Sequence, residues 1–261
     1  MQADMIHPRE PSRNFAQSGV AVRLLRGPAP TRFQVLGERS SGTNLIKRLI
    51  MMNSDLEETK LLGWKHGFPS MEAIPSDLLV VGVVREATSW ARSMHAKPWH
   101  TTPAMQKKEF SAFIRAPWDT IVDHQKYFKN AEKAGTIGHY LQYDRHPITG
   151  KRFASLFDLR RVKLQGLVGY LSRNCHFALL RAETVQDEPQ KVLSTLLESL
   201  GRTPPEKFKK VGKQLGTKFN PVVTDRPATP LALNDDDLAF MKSRLDMTLE
   251  ARLGYTYKNS H

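Results

Sequence analysis

Seven consecutive apolar residues at 78–84, "LLVVGVV", constrain the fold of this chain more than any other feature. A strand without polar side chains on either face has to be buried on both faces, which is typical of the interior of a parallel sheet. The run is too short to span a bilayer. A helical segment, "ATSWARSMHA", follows it directly. The sequence therefore predicts a buried strand followed by a helix.

The same order of strand and helix recurs along the chain. Residues 32–37 predict a strand and 43–53 a helix, and 61–66 are also strand-like. Beyond them, "HFALLRAETV" predicts a strand, and "DEPQKVLSTLLESLG" a packing helix that begins near a proline and ends at Gly201. Asn234 is the predicted cap of the last helix. This alternation predicts a three-layer α/β fold, in which helices flank a mostly parallel sheet and ligands bind at the carboxyl ends of strands.

The first 30 residues are polar and carry four prolines, which predicts an irregular N-terminal arm over 1–30. Residues 31–261 have an ordinary length for one α/β domain. The start of the chain lacks the apolar core of a signal peptide, and the single cysteine, Cys175, excludes an intramolecular disulfide framework. We therefore expect a cytoplasmic protein without a transmembrane segment.

A glycine-rich turn joins the first predicted strand to its helix in "FQVLGERSSGTNLIKRLI", residues 33–50. Gly37 and Gly42 have the G-x-x-x-x-G spacing of a phosphate loop. The first N–H groups and the dipole of the helix that opens there favour an anion. Thr43 stands where a nucleotide triphosphatase has lysine, which disfavours ATP or GTP hydrolysis. A P-loop kinase or another nucleotide-binding protein stays an alternative.

The charge of the chain indicates an anionic partner. With 39 Lys and Arg against 26 Asp and Glu, the formal net charge is +13. A nucleotide, a sulfated or phosphorylated substrate or a nucleic acid fits that sign. The sequence carries no basic and aromatic repeat of a known nucleic-acid module, so nucleic acid is not the expected partner. A non-catalytic polyanion-binding protein is the alternative from a different class.

Several segments, taken in order, resemble the sulfotransferases that use 3′-phosphoadenosine 5′-phosphosulfate (PAPS). "GERSSGTNLIKRL" resembles the 5′-phosphosulfate loop of that family, and "VVREATSWARS" resembles its 3′-phosphate segment. "GWKHGFPSMEAIP" is similar to the Lys-x-His-x-x-Pro stretch of the family, and "LLRAETVQDEPQKVLSTLLESLG" to its later strand and helix. The resemblance implies an enzyme that transfers a sulfuryl group from PAPS, its co-substrate, without a metal. The acceptor would be a hydroxyl or amine of a small molecule, carbohydrate or glycolipid.

The resemblance also implies roles for individual residues. The catalytic candidates are His66 as the base and Arg39 and Lys65 as cations at the leaving phosphate. Lys47 is a third candidate cation, because Ser40 stands where the family usually has a basic residue. Glu38 and Glu86 are alternative bases. The predicted donor contacts come from the loop and from the 3′-phosphate segment: Ser40, Ser41, Gly42, Thr43, Asn44, Arg85 and Ser93.

Two parts of the chain have no counterpart that the resemblance fixes. Residues 98–165 are the predicted acceptor-specific insert of the domain. The glycine-rich segment that closes over the nucleotide near the C-terminus of cytosolic relatives is missing, and Lys213, Lys218 and Arg226 are the candidate replacements. The sequence selects neither an acceptor nor an oligomeric state.

Overall fold

The computed structural model describes residues 11, 14–212, 219 and 221–258, so Lys213 and Lys218 lie outside the described residues. The architecture is α/β, with an open, mostly parallel five-stranded sheet flanked by helices. The chain divides into two compact units. The first comprises 1–85, 164–215 and 248–256, and the second comprises 86–163, 216–247 and 257–261.

The sheet belongs to the first unit. Its strands are β1 (Val20–Arg23), β2 (Arg32–Gly37), β3 (Glu57–Glu58), β4 (Leu78–Val84) and β5 (His176–Arg181). Their order is β1-β5-β4-β2-β3, and only the β1–β5 pair is antiparallel. Gly37 of β2 pairs with Val83 of β4. The carboxyl ends of these two central strands therefore meet at the same edge.

The central strand β4 is the predicted apolar run, and all seven of its residues are buried. A Cβ on Gly82 would lie 2.8 Å from Cζ of Phe177 on β5, so the neighbouring aromatic ring needs glycine there. One face of the sheet packs against helices of the first unit. The helices on that face are α2 (Thr43–Asn53), α7 (Ala182–Asp187) and α8 (Pro189–Ser199). This core fixes the strand ends from which the candidate site is built.

The described part of the predicted N-terminal arm is not irregular throughout. It holds a short helix, α1 (Phe15–Ser18), and the edge strand β1. All four residues of β1 are half-buried, so buried and exposed residues do not alternate along this strand. Its partner β5 lies more than 150 residues away in the chain. Local sequence therefore gave no signal for this strand. Residues 1–10, 12 and 13 of the predicted arm lie outside the described part of the chain.

The predicted strand over 61–66 is wrong. The strand at that edge is β3, and residues 61–66 form turns and irregular backbone. The side chain of Gln34, inside β2, holds this segment: its Nε2 donates to the Gly63 carbonyl at 3.0 Å, and its Oε1 accepts from the Leu62 N–H at 2.8 Å. A side chain thus replaces a ladder of main-chain hydrogen bonds there.

The helices of the second unit are joined by long stretches of turns and irregular backbone. Its helices include α3 (Ala87–Ala96), α4 (Pro103–Gln106), α5 (Phe110–Arg115) and α9 (Asp235–Arg244). Two more helices run across the boundary of the units, α6 (Leu156–Val168) and α10 (Met247–Arg252), and short 3₁₀ turns cover Gln142–Asp144 and Gly169–Ser172. Asn234 caps α9 as predicted, because its Oδ1 accepts the Asp237 N–H at 2.8 Å.

A buried carboxylate organises the middle of the second unit. Asp144 is fully buried, and Trp118 Nε1 and Thr120 Oγ1 donate to its Oδ2 at 3.1 and 3.0 Å. Lys163 Nζ donates to its Oδ1 at 2.6 Å, and Lys163 is buried as well. A buried charge that is paired and hydrogen-bonded in this way is a structural anchor.

Candidate functional site

The loop between β2 and α2, residues 38–42, is a tight turn with an unusual backbone. Ser40 has a φ of 62° and Gly42 a φ of 90°, so two residues of this short loop adopt left-handed conformations. A Cβ on Gly37 would lie 2.7 Å from the Val83 carbonyl oxygen and 2.9 Å from Ser41 Oγ. Close packing against β4 therefore requires glycine at Gly37, and positive φ favours it at Gly42.

Helix α2 begins directly after the loop, with Gly42 as its N-cap. The N–H groups of Leu45 and Ile46 donate to the Gly42 carbonyl. The N–H groups of Thr43 and Asn44 come earlier, and helix geometry provides no acceptor for them inside the helix. Together with the helix dipole they favour a negative charge at this point.

The hydroxyl groups of the loop have different surroundings. Ser41 is buried, and its Oγ donates to the Glu38 carbonyl at 2.7 Å, so this side chain closes the loop on itself. Thr43 is also buried, whereas Ser40 is half-buried and Asn44 is exposed. Of the predicted donor contacts in the loop, Ser41 therefore has a structural use for its side chain.

Arg85 follows the last residue of β4, at the edge where β2 ends. Its Nη1 donates to the Ser40 carbonyl oxygen at 2.7 Å. The parallel pairing of β2 and β4 explains this contact between residues 45 positions apart in the chain. The guanidinium thus holds the left-handed turn of the loop and brings positive charge to it.

Lys65 and His66 are held at the same strand end by two main-chain contacts. The Gly37 N–H donates to the Lys65 carbonyl at 3.0 Å, and His66 Nδ1 lies 2.6 Å from the Gly37 carbonyl oxygen. A carbonyl oxygen only accepts, so Nδ1 carries the proton of the neutral imidazole and Nε2 carries the lone pair. The tautomer required of a base that acts through Nε2 is therefore fixed by the loop itself.

Lys65 also reaches the first turn of α2, where its Nζ donates to Asn44 Oδ1 at 2.5 Å. Burial lowers the pKa of Lys65 to about 8, and the positive charges of Lys47 and Lys60 act in the same direction against the attraction of Glu58. The protonated amine of Lys65 is therefore disfavoured at this position. An anion bound beside it would raise the pKa again, since an opposite charge favours the protonated amine.

The other two candidate cations are placed differently. Lys47 Nζ lies 3.2 Å from Glu58 Oε1 and 3.3 Å from Oε2, so its charge faces a carboxylate. Arg39 is buried, and its guanidinium carbon lies 5.8 Å from the ring centroid of Trp64. Lys65 is thus a candidate cation whose nitrogen contacts the first turn of α2.

The alternative bases also have contacts of their own. Glu86 is the N-cap of α3, where its carboxylate accepts the N–H groups of Thr88 and Ser89 at 2.8 and 2.7 Å. This is the ordinary work of a capping residue. Glu38 is buried within the loop. The capping contacts of Glu86 favour His66 over this glutamate.

Two predicted residues, Ser93 and Arg226, belong to the second unit. Ser93 lies on α3, and its carbonyl accepts the Lys97 N–H at 3.0 Å. Arg226 donates to the carbonyls of His95 and Ala96 near the end of that helix. Their predicted part in donor binding stays a prediction.

Sequence reasoning missed Gln34, which positions the segment that carries Lys65 and His66. Its signal was available: Gln34 is a polar residue inside the apolar strand "FQVLG". A buried amide needs partners for its donors and its acceptor, so such a residue marks a side chain that binds backbone from another segment.

Among the described residues, no group of three or more His, Cys, Asp and Glu side chains is arranged to hold a metal ion. In the same part of the chain, no helix is both long and apolar enough to cross a bilayer. A comparison with protein-family models, curated proteins and solved structures found no match to this chain.

Proposed function

We propose that this chain is a sulfotransferase that moves a sulfuryl group from PAPS to a hydroxyl or amine of an acceptor. The observation that carries the proposal is the contact of Lys65 Nζ with Asn44, at the first turn of a helix that opens from a glycine-bracketed loop. His66 contacts Gly37, at the start of the loop, and Arg85 contacts Ser40 within it. A left-handed loop, a helix N-terminus and converging basic side chains suit a phosphosulfate group.

In the proposed complex the loop acts as a phosphate loop without the lysine of a triphosphatase. The N–H groups of Thr43 and Asn44 and the ammonium of Lys65 bind the 5′-phosphosulfate. Arg85, which donates to the Ser40 carbonyl, supplies positive charge for the 3′-phosphate. Donors fixed before binding stabilise charge without a cost of reorganisation.

The transfer then follows an in-line course. The acceptor oxygen or nitrogen attacks sulfur and forms the new S–O or S–N bond, while the bond from sulfur to the bridging oxygen of the 5′-phosphate breaks. The electron pair of that bond stays on the phosphate oxygen, beside Lys65. His66 Nε2 takes the proton of the acceptor, because Nδ1 is held by the Gly37 carbonyl. Positioning and charge stabilisation are the main tasks of the protein in such a transfer.

Calorimetric titration of the full chain with adenosine 3′,5′-bisphosphate tests the proposed donor site. AMP, which lacks the 3′-phosphate, and ATP with magnesium are the controls. We expect binding that needs the 3′-phosphate and weakens at least about tenfold in Arg85→Ala, the usual scale for a charged hydrogen bond. Preference for ATP with magnesium, or no binding of adenosine 3′,5′-bisphosphate, would overturn the proposal.

A further inference from the structure

Residues 137–152 of the second unit expose several large apolar side chains, and we call this stretch the 137–152 surface. Ile148 is 87 % exposed and Tyr140 is 58 % exposed, and Ile137 and Tyr143 are exposed as well. Single exposed apolar residues are normal on a protein, but several within one short stretch mark an interaction site.

The exposed charged side chains of the 137–152 surface are basic. Lys151 and Arg152 are exposed, and Arg152 Nη1 lies 3.9 Å from Asp119 Oδ1. Arg145 is buried, and its guanidinium lies 4.7 Å from the ring centroid of Tyr140. Asp144 is the one acidic residue of the stretch, and its carboxylate is buried against Lys163. The surface therefore combines apolar side chains with exposed positive charge.

The tip of this surface is a tight turn that is built to stay in place. The N–H groups of Ile148 and Thr149 donate to Nδ1 of His146 at 3.3 and 3.4 Å. The His146 N–H donates to the Lys151 carbonyl at 2.9 Å, and the Gly150 N–H donates back to the His146 carbonyl at 2.8 Å. Ile148 is thus presented at a fixed position, so little conformational freedom is lost when it binds.

We propose that the 137–152 surface docks on a bilayer that contains anionic phospholipid. Ile148 enters the boundary between headgroups and acyl chains, and the rings of Tyr140 and Tyr143 lie at headgroup level, where tyrosine is enriched. Lys151 and Arg152 contact the anionic headgroups. A nucleic acid or an acidic glycan would be attracted by the same charges but would gain nothing from an exposed isoleucine at the tip.

Sedimentation of the full chain with lipid vesicles tests this proposal. One set of vesicles is phosphatidylcholine alone, and the other contains about a third phosphatidylserine, both at about 0.1 M salt. The surface variants are Ile148→Glu and the double variant Lys151→Glu with Arg152→Glu. The matched controls are Leu231→Glu, at an equally exposed position of the same unit, and the double variant Lys207→Glu with Lys210→Glu, which makes the same change in net charge.

The native chain should sediment with the phosphatidylserine vesicles and not with phosphatidylcholine alone. The double charge reversal should weaken this binding at least about 25-fold, because each basic residue near such a surface contributes about fivefold. Ile148→Glu should weaken it about tenfold, and both controls should stay within about twofold.

Three results would overturn the proposal: no sedimentation of the native chain with phosphatidylserine, an equal loss in the control double variant, or unchanged binding of Ile148→Glu. The last result would assign a purely electrostatic surface for polyanions. Ile148→Trp gives an independent readout that no loss of folding can imitate. Its tryptophan emission should shift to the blue with phosphatidylserine vesicles, whereas that of Leu231→Trp should not.

Discussion

Each unit contains a lysine that is largely shielded from solvent, and the surroundings of these two lysines are opposite. Lys163 in the second unit donates to Asp144 at 2.6 Å, inside a network that also binds Trp118 and Thr120. Lys65 in the first unit donates to the neutral amide oxygen of Asn44, and burial, together with Lys47 and Lys60, lowers its pKa to about 8. Lys163 neutralises a buried carboxylate, whereas Lys65 lies where its own positive charge is disfavoured.

This difference separates a structural charge from a functional one. A buried ion pair satisfies both partners, so removing one of them leaves the other uncompensated. A lysine whose positive charge is disfavoured by neighbouring cations does not stabilise the fold through that charge. Such perturbed pKa values are concentrated at functional sites. The following predictions test whether the two lysines behave in these two ways.

The largest effect is expected at the paired lysine. Lys163→Met leaves the Asp144 carboxylate buried without its cation, and we expect a loss of about 3–5 kcal/mol in the free energy of unfolding, measured by urea denaturation. Adding Asp144→Asn removes the uncompensated charge and should restore part of that loss. A cost below about 1 kcal/mol for Lys163→Met would show that the pair does not anchor the unit.

The histidines sharpen the same contrast. Both ring nitrogens of His95 have partners, at Thr229 and the Lys108 carbonyl, whereas Nδ1 of His66 is held by the Gly37 carbonyl in the orientation of a base. His66→Gln should lower kcat for sulfuryl transfer by about 10²-fold or more, because the acceptor loses its base. The dissociation constant of adenosine 3′,5′-bisphosphate should stay within about threefold. A kcat reduced less than fivefold would remove His66 from the mechanism.

We expect Lys65→Met to weaken ligand binding and to raise the free energy of unfolding. Loss of a charged hydrogen bond should weaken binding of adenosine 3′,5′-bisphosphate by about tenfold to 100-fold. Because folding lowers the pKa of Lys65, its penalty is complete below pH 8 and fades as pH rises toward 10.5. The variant should therefore be about 1–2 kcal/mol more stable than the native chain at pH 7 by urea denaturation, which is less than the full pKa shift implies because Lys65 is half-buried and solvent screens its charge. A less stable variant would contradict this sign.

The same pKa predicts how ligand affinity depends on pH. Only the protonated form of Lys65 attracts the anion, so affinity for adenosine 3′,5′-bisphosphate should fall about tenfold between pH 7 and pH 9. Lys65→Arg keeps its charge throughout this range and should show a nearly flat profile. Parallel profiles of the two proteins, recorded by calorimetry, would assign the pH dependence to another group.

Much of the sheet could be predicted because its signals are local. The bounds of β2, α2 and β4 follow directly from apolar runs and from the glycine-rich turn. The meeting of Arg85 with the loop followed from parallel pairing alone. These features depend on residues close in sequence and on one rule about strand direction.

The rest depends on contacts between distant residues. Strand β1 exists because β5 offers it an edge, and the backbone around Leu62 and Gly63 is set by Gln34. The positions of the Lys47 and Lys65 side chains also depend on such contacts, with Glu58 and Asn44 respectively. A list of basic residues in a motif therefore could not rank them as ligands, whereas their partners in the fold do.

Proton uptake on binding tests the central claim most directly. The full chain is titrated with adenosine 3′,5′-bisphosphate at pH 8 in two buffers that differ in their enthalpy of ionisation. Lys65, half protonated at its pKa, should take up about 0.5 proton as the anion binds, and Lys65→Met should take up none. Binding without proton uptake by the native chain, or equal uptake by the variant, would contradict the assignment of Lys65 as the cation of the donor site.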